Sequence, residues 1–508
     1  SLIAGLHGCN SSGGSGGESI SSSSESTAPV ITTQPSDQTI TAGSTATFIV
    51  AAGGTEPLTY QWRKDGIAID HATSSTYTTP ASSMSDSGAR YSVIVANSVA
   101  SVVSNDATLT VQTSSDYFAG DVMEAWEGGP SYYAQWSNGP SADPNIFPLA
   151  VWLQAPESSG AAATYKSIGI NMHVGLWNGP TEAQLSAVAA IPTTTMCSQN
   201  SIGLTSANRG VIKAWLQQDE PDNAQNGTQD PVPTATIISL YNTMKAADPT
   251  RPVYLNLGQG VASDAWYGRG NRTNHPEDYA QYALGGDILS FDTYPMNVYP
   301  LPDSAAPWFR AFNNTVAQNI WYVAEGVDRL RAWTNYQKPV WAWIECTNID
   351  GDSRYALTPD LVKAEVWMAV IHGARGIGYF CHQFSPNFIE AGLLANAAMT
   401  SMVHCINDQI TELAPVLNTQ TVSNGVTSSS SNTGVPVDTM VKRRSGYTYV
   451  FAVAMRPGAT TATFTLRGIT GSGTVEVLNE GRNLNSTAGV FQDGFTSHGL
   501  HIYRIATP

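Results

Sequence analysis

Two apolar runs in this chain end in carboxylates. Residues 212–221 read Ile-Lys-Ala-Trp-Leu-Gln-Gln-Asp-Glu-Pro, and residues 340–346 read Val-Trp-Ala-Trp-Ile-Glu-Cys. An apolar run that stops at an acidic residue is how a buried parallel strand looks when its C-terminal end opens into a site. Glu220 and Glu345 are therefore the candidate catalytic residues. Two carboxyl groups facing one another can hydrolyse an acetal: one, kept protonated, donates to the leaving oxygen, and the other stabilises or attacks the anomeric carbon. Asp222 is the reserve acid if the strand register is displaced by two.

Positioning the pair requires a frame. Over 120–415, strand-like runs alternate with helical stretches, at Phe147–Gln154, Met172–Trp177, Thr194–Cys197, Ile212–Glu220, Val253–Leu257, Ile288–Tyr294, Val340–Glu345 and Gly376–His382. Helical periods fall between them, for example Thr181–Ala190, Thr234–Ala247, Trp321–Tyr336 and Pro359–Gly373, and Ala397–Ala414 follows the last strand. Eight alternations predict a (β/α)8 TIM barrel, and no glycine-rich nucleotide loop follows any strand. Counting places Glu220 at the end of strand four and Glu345 at the end of strand seven, on the rim where barrel enzymes do their chemistry. Trp152, Trp177 and Trp343 near strand ends are candidate sugar platforms, although such tryptophans more often belong to the core. Asp219 is expected to point away from Glu220 across an extended strand, holding a loop or tuning the acid.

Flanking segments change character. Ser, Gly, Thr and Glu dominate residues 10–28, and the Gly-Gly-Ser-Gly-Gly run at 13–17 matches a nucleophile elbow only through composition. Short alternating runs between 30 and 112 (46–50, 58–62, 89–95, 107–111) predict a β-sandwich, and a second one is expected over 416–508. The domain reading is 1–28 leader remnant and tether, 29–113 N-terminal sandwich, 114–415 barrel, and 416–508 C-terminal β-sandwich. Both sandwiches read as spacer or packing modules.

Composition narrows the function. With 40 acidic against 24 basic side chains the formal charge is −16, which argues against nucleic-acid partners and suits an uncharged substrate. No apolar run reaches the length of a membrane helix. The five cysteines at 9, 197, 346, 381 and 405 lack zinc or disulfide-scaffold spacing. Cys197, Cys346 and Cys381 fall near the ends of strands three, seven and eight, where buried free thiols are expected and a disulfide between two is the alternative. The first strand has no His-x-His, and His173, His372 and His382 lack ligand spacing, so no metal or other cofactor is expected.

Three resemblances add to this. The segment Ser-Leu-Ile-Ala-Gly-Leu-His-Gly-Cys9 resembles the end of a bacterial lipoprotein signal, which implies export and a lipid anchor on Cys9. Tyr60-Gln-Trp62 with Asp86-Ser-Gly-Ala-Arg-Tyr91-Ser-Val93 resembles an immunoglobulin-like domain that lacks its two core cysteines, Val93 standing where the second would be. Asp219-Glu220-Pro221, Glu345, and Phe291-Asp-Thr-Tyr294-Pro295 on strand six resemble the large clan of retaining glycoside hydrolases. That resemblance implies Glu220 as acid/base, Glu345 as nucleophile, and Tyr294 orienting the nucleophile. It also implies an aromatic platform from Phe380, His382 and Phe384, with Asp219 where the clan has an Asn that contacts the sugar 2-hydroxyl. Arg209 is the one suggestion for the clan's arginine after strand two. The implied activity is cleavage of β-glycosidic bonds in a poly- or oligosaccharide, endo-acting on a β-glucan, mannan, xylan or galactan, by a monomer. The alternative is a non-catalytic surface carbohydrate-binding or adhesion protein on the same scaffold.

Overall fold

The computed structural model describes residues 26–41, 45–80, 82, 86–112, 117–118, 120–124, 128–225, 228–297, 307–349 and 357–507. Cys9 and most of the Ser/Gly-rich segment lie outside them. The chain divides into two compact units at Ser115/Asp116.

The first unit is an immunoglobulin-type sandwich. Its main sheet pairs Thr59–Lys64 with Arg90–Ala96 in antiparallel fashion, and Thr47–Ile49 pairs with Thr76–Thr78 in a second sheet. Alternation turns Trp62, Tyr91, Val93 and Val95 inward, all nearly fully buried. The Trp62 indole donates to the Ser74 carbonyl at 2.9 Å, and Tyr91 stacks on Phe48 at 4.5 Å. Apolar packing takes the place of the inter-sheet disulfide.

In the second unit, eight parallel strands close into a barrel in sequence order: Leu149–Trp152, Met172–Val174, Thr194–Ser198, Ile212–Leu216, Val253–Leu257, Ile288–Asp292, Val340–Glu345 and Ile377–Phe380. Each expected strand is present, and two have the expected bounds. Strand four is the main difference, ending at Leu216 rather than Glu220. Inward residues such as Trp152, Met172, Ala214, Tyr254, Ile288, Trp341 and Trp343 fill the barrel interior. Outward residues such as Leu255, Phe291, Ala342, Ile344 and Ile377 pack with the surrounding helices.

The C-terminal sandwich has a three-stranded and a five-stranded sheet. Met440, Phe451, Val453 and Ile502 share one apolar cluster with the helix Pro359–Ile371, where Trp367 stacks on Phe451 at 5.7 Å. That packing closes one flank of the barrel. Residues 120–124, expected with the barrel, instead pair with the sandwich. Met123 bridges Val422, and a buried Arg443–Asp121 ion pair sits at 2.9 Å. No helix among the described residues is long and apolar enough to cross a membrane.

Candidate active site

Strand four loses its regular form after Leu216, but the chain still follows strand five. The Gln217 N–H donates to the Tyr254 carbonyl at 2.9 Å and the Glu220 N–H to the Asn256 carbonyl at 3.1 Å. Glu220 then takes φ +42°, a left-handed conformation that costs a non-glycine residue on the order of 1 kcal/mol or more. The following turn closes with the Asn223 N–H on the Glu220 carbonyl at 3.0 Å. Because 217–220 is not extended, the alternation behind the Asp219 expectation fails. Asp219 turns into the same mouth as Glu220 instead of away from it.

A polar network fixes that mouth. The Asn256 side-chain nitrogen donates to Asp219 at 2.9 Å and to Asp292 at 3.1 Å, and its oxygen accepts from Ser290 at 2.6 Å. The Trp343 indole N–H reaches the Tyr254 hydroxyl at 3.0 Å and Ser290 at 3.3 Å. Asn256 and Asp292 had no assigned role in the sequence reading. The signal for Asp292 was its place beside Tyr294 at the end of strand six.

Burial and crowding set the electrostatics. Burial, followed by the charges of Asp292, Asp219 and Asp222, holds the Glu220 carboxyl well above the ordinary carboxylate range, with Asn223 partly opposing. Burial raises Asp292 well above its ordinary value, helped by Asp219. Asp219 is pushed up to about 6 by burial, opposed by its bond from Asn256. Three carboxyl groups this close do not all ionise near neutral pH, so the cluster retains protons. Asp222 is fully buried and accepts from the Gly258 N–H and the Tyr279 hydroxyl, each at 2.8 Å, which makes it a loop anchor rather than a reserve acid.

Glu345 is enclosed, with no exposed surface. Its carboxylate accepts from the Met296 N–H at 2.6 Å, the Asn297 N–H at 3.0 Å and the Asn297 side-chain amide. Burial lifts it to about 7 against those donors. Glu365, from the helix Pro359–Ile371, faces it carboxyl to carboxyl, and neither of its oxygens has a donor partner among the described residues. The contact is satisfied when Glu365 is protonated and donates to Glu345. Glu365 also went unassigned in the sequence reading, although it is the only charge in the apolar stretch Ala364–Ile371. Among the described residues, no hydrogen-bond partner is shared between Glu345 and Glu220.

The remaining candidates separate by exposure. Tyr294 packs its ring on Phe380 at 5.2 Å, with its hydroxyl beside Asp292 but in no well-formed hydrogen bond. Trp152 and Trp343 meet edge to face at 5.0 Å inside the barrel, so they belong to its core. Trp177 is 43% exposed and stacks on His382 at 5.7 Å, and Phe384 and Phe388 continue this aromatic rim. Arg209 precedes strand four and donates to the Leu204 carbonyl, so it sits at the opposite end of the barrel from the mouth. Cys197, Cys346 and Cys381 are buried free thiols, and no group of residues suited to hold a metal occurs among the described residues.

Comparison with known proteins covers the N-terminal unit best. A family model for the immunoglobulin domain matches residues 28–116. A decoration protein of Escherichia phage T5 is 43% identical over 65 residues, 13% of this chain and 38% of that protein, so well under two thirds of that relative is spanned. Among solved structures, Sidekick-1 immunoglobulin domains 1–5 match at 26% identity over 18% of this chain and 20% of that one, with a TM-score of 0.16. A GH30 endoxylanase from Clostridium papyrosolvens C71 aligns over 76% of this chain and 98% of its own, at 12% identity and a TM-score of 0.41.

Proposed function

We propose that the barrel hydrolyses glycosidic bonds in a neutral, β-linked glycan, with Glu220 as the proton donor. One observation carries this reading. Glu220 stands at the mouth on the loop after strand four, and burial and neighbouring carboxylates favour its protonated form. A carboxylic acid held protonated near neutrality is the group required to protonate a leaving alkoxide. The aromatic rim of Trp177, Phe384 and Phe388 offers flat apolar faces to sugar rings, and the net charge of −16 disfavours polyanions.

Glu345 is the strand-seven nucleophile in this reading. Burial raises it to about 7 and its backbone and amide donors oppose that rise; attack takes the ionised form, and the configuration would be retained through a covalent intermediate. To act, it must be freed from the Met296–Asn297 segment when substrate binds. A second reading gives the role to Asp292, favoured by its place in the cluster around Glu220.

Assay of the purified protein on β-glucans, mannans, xylans and galactans, with NMR of the first-formed anomer, tests the activity. Azide rescue of E345A and D292A assigns the nucleophile: the variant that regains turnover and yields a glycosyl azide has lost it. A wild type that binds glycans but cleaves none supports a carbohydrate-binding surface protein instead. An exported, lipid-anchored chain acting on an external polymer fits this proposal.

A further inference from the structure

A depression of about 720 Å³ lies between the loops leaving barrel strands four and five. Thr228 and Gln229 line it from the first loop, and Tyr267, Asn271, Thr273 and Asn274 from the second. Both are loops at C-terminal strand ends, so it opens on the same face as Glu220. The link to Glu220 is short. Asn223, hydrogen-bonded to the Glu220 carboxyl, accepts from the Trp266 indole at 2.7 Å, and the Ala224 N–H donates to the Gly268 carbonyl at 2.7 Å.

The lining chemistry is specific. None of the described residues that line the depression carries a charge, in a chain with 40 acidic side chains. The side-chain amides of Gln229, Asn271 and Asn274 have no hydrogen bond to another described residue. Each presents two donor hydrogens and an acceptor oxygen. A cation would find no carboxylate there, and an anion would meet amide oxygens as readily as donors. A neutral polyol satisfies both sets, and the Tyr267 ring, packed on Trp266 at 4.5 Å, adds an apolar wall.

The depression is also built to keep its shape. Arg269, 1% exposed, donates to the His275 carbonyl and to Asp278, each at 2.7 Å, while Asp222 holds Gly258 and Tyr279. Buried charges with all these partners fix the strand-five loop before any ligand arrives.

We infer that this depression is a subsite for the leaving-group sugar, so that the departing group is itself a saccharide and the substrate an oligo- or polysaccharide. The inference rests on Glu220 being the acid. The acid protonates the leaving oxygen, so a ring seated beside the acid's own turn belongs to the departing side.

The test compares two substrates of one sugar. One is the β-linked tetrasaccharide, from the gluco, manno, xylo and galacto series, that the wild type cleaves fastest; the other is the matching 4-nitrophenyl glycoside. In the triple variant Q229A/N271A/N274A, the ratio of kcat/KM for the tetrasaccharide to that for the aryl glycoside should fall about 30-fold to 150-fold. That is what loss of two or three neutral hydrogen bonds of about 1 kcal/mol each produces. An unchanged ratio with both substrates still cleaved overturns the subsite and leaves Glu220 as acid intact. A wild type inert on both substrates overturns the hydrolase reading, and the subsite with it.

Discussion

Asp219 and Asp292 share one donor, the Asn256 side-chain nitrogen, at 2.9 and 3.1 Å. This places two carboxylates, one from the loop after strand four and one from strand six, beside Glu220, and their charges are among the causes that keep the Glu220 proton on.

Removing one of those charges should therefore weaken the acid. D292N takes away the largest charge acting on Glu220, so the Glu220 pKa falls. Glu220 works in its protonated form, and activity is lost as pH rises through its pKa. The alkaline limb of the kcat/KM profile should shift to lower pH. An unmoved alkaline limb would separate Asp292 from the acid.

Glu345 and Glu365 should behave as one proton-sharing pair. E365Q keeps a donor toward Glu345 and nearly the same volume, so it should fold with a small loss of Tm. E365A leaves a void and a buried carboxylate with one donor fewer, and should cost about 2–4 kcal/mol by denaturant unfolding. Equal stability of the two variants would show that no proton is shared.

The barrel and the C-terminal sandwich meet at a histidine bridge. His372 Nδ1 lies 2.8 Å from Asp328 on the helix Tyr322–Trp333, and Nε2 lies 3.3 Å from Asp438 on the strand Val437–Arg444. Arg331 also reaches this corner, donating to the His372 carbonyl and pairing with Glu124. The two aspartates, outweighing burial, raise His372 to about 9. A folded value above the unfolded one of about 6.5 gives stabilisation that is full below pH 6.5 and lost as pH rises through about 9. Thermal scans should show Tm falling between pH 7 and 9.5, and D438N should lower Tm at pH 7 and flatten that slope.

Much of this architecture was legible in the chain because buried parallel strands are nearly continuous apolar runs. Val253–Leu257 and Val340–Glu345 appear with the bounds the pattern implied. In the C-terminal sandwich, Val426–Ser430 is mostly Ser and largely exposed, so it shows no alternation to detect. Val437–Arg444 hides Lys442 and Arg443 in the interior, where Lys442 meets the Thr419 carbonyl at 2.7 Å and Arg443 meets Asp121. Buried charges with distant partners mask a strand. At the site, the strand count gave Glu345 at the end of strand seven, whereas Glu220 lies on the loop after strand four rather than on the strand. Which way each carboxyl turned depended on a left-handed residue at 220 and on a helix residue, Glu365, that approaches only in three dimensions.

The immunoglobulin unit depends on one apolar core with no cross-link. W62A removes a fully buried indole and its bond to Ser74, and should cost about 3–5 kcal/mol. In calorimetry of the full chain the transition of the first unit should shift or vanish, while that of the second stays in place.

The most direct measurement is the leaving-group dependence of E220Q. Comparing it with the wild type on a dinitrophenyl glycoside and on the corresponding oligosaccharide isolates proton donation. Turnover of the oligosaccharide should fall about a hundredfold or more, with a much smaller loss on the dinitrophenyl glycoside, whose leaving group departs without a proton. Equal losses on both substrates, or an E220Q variant as active as the wild type on the oligosaccharide, would contradict Glu220 as the acid.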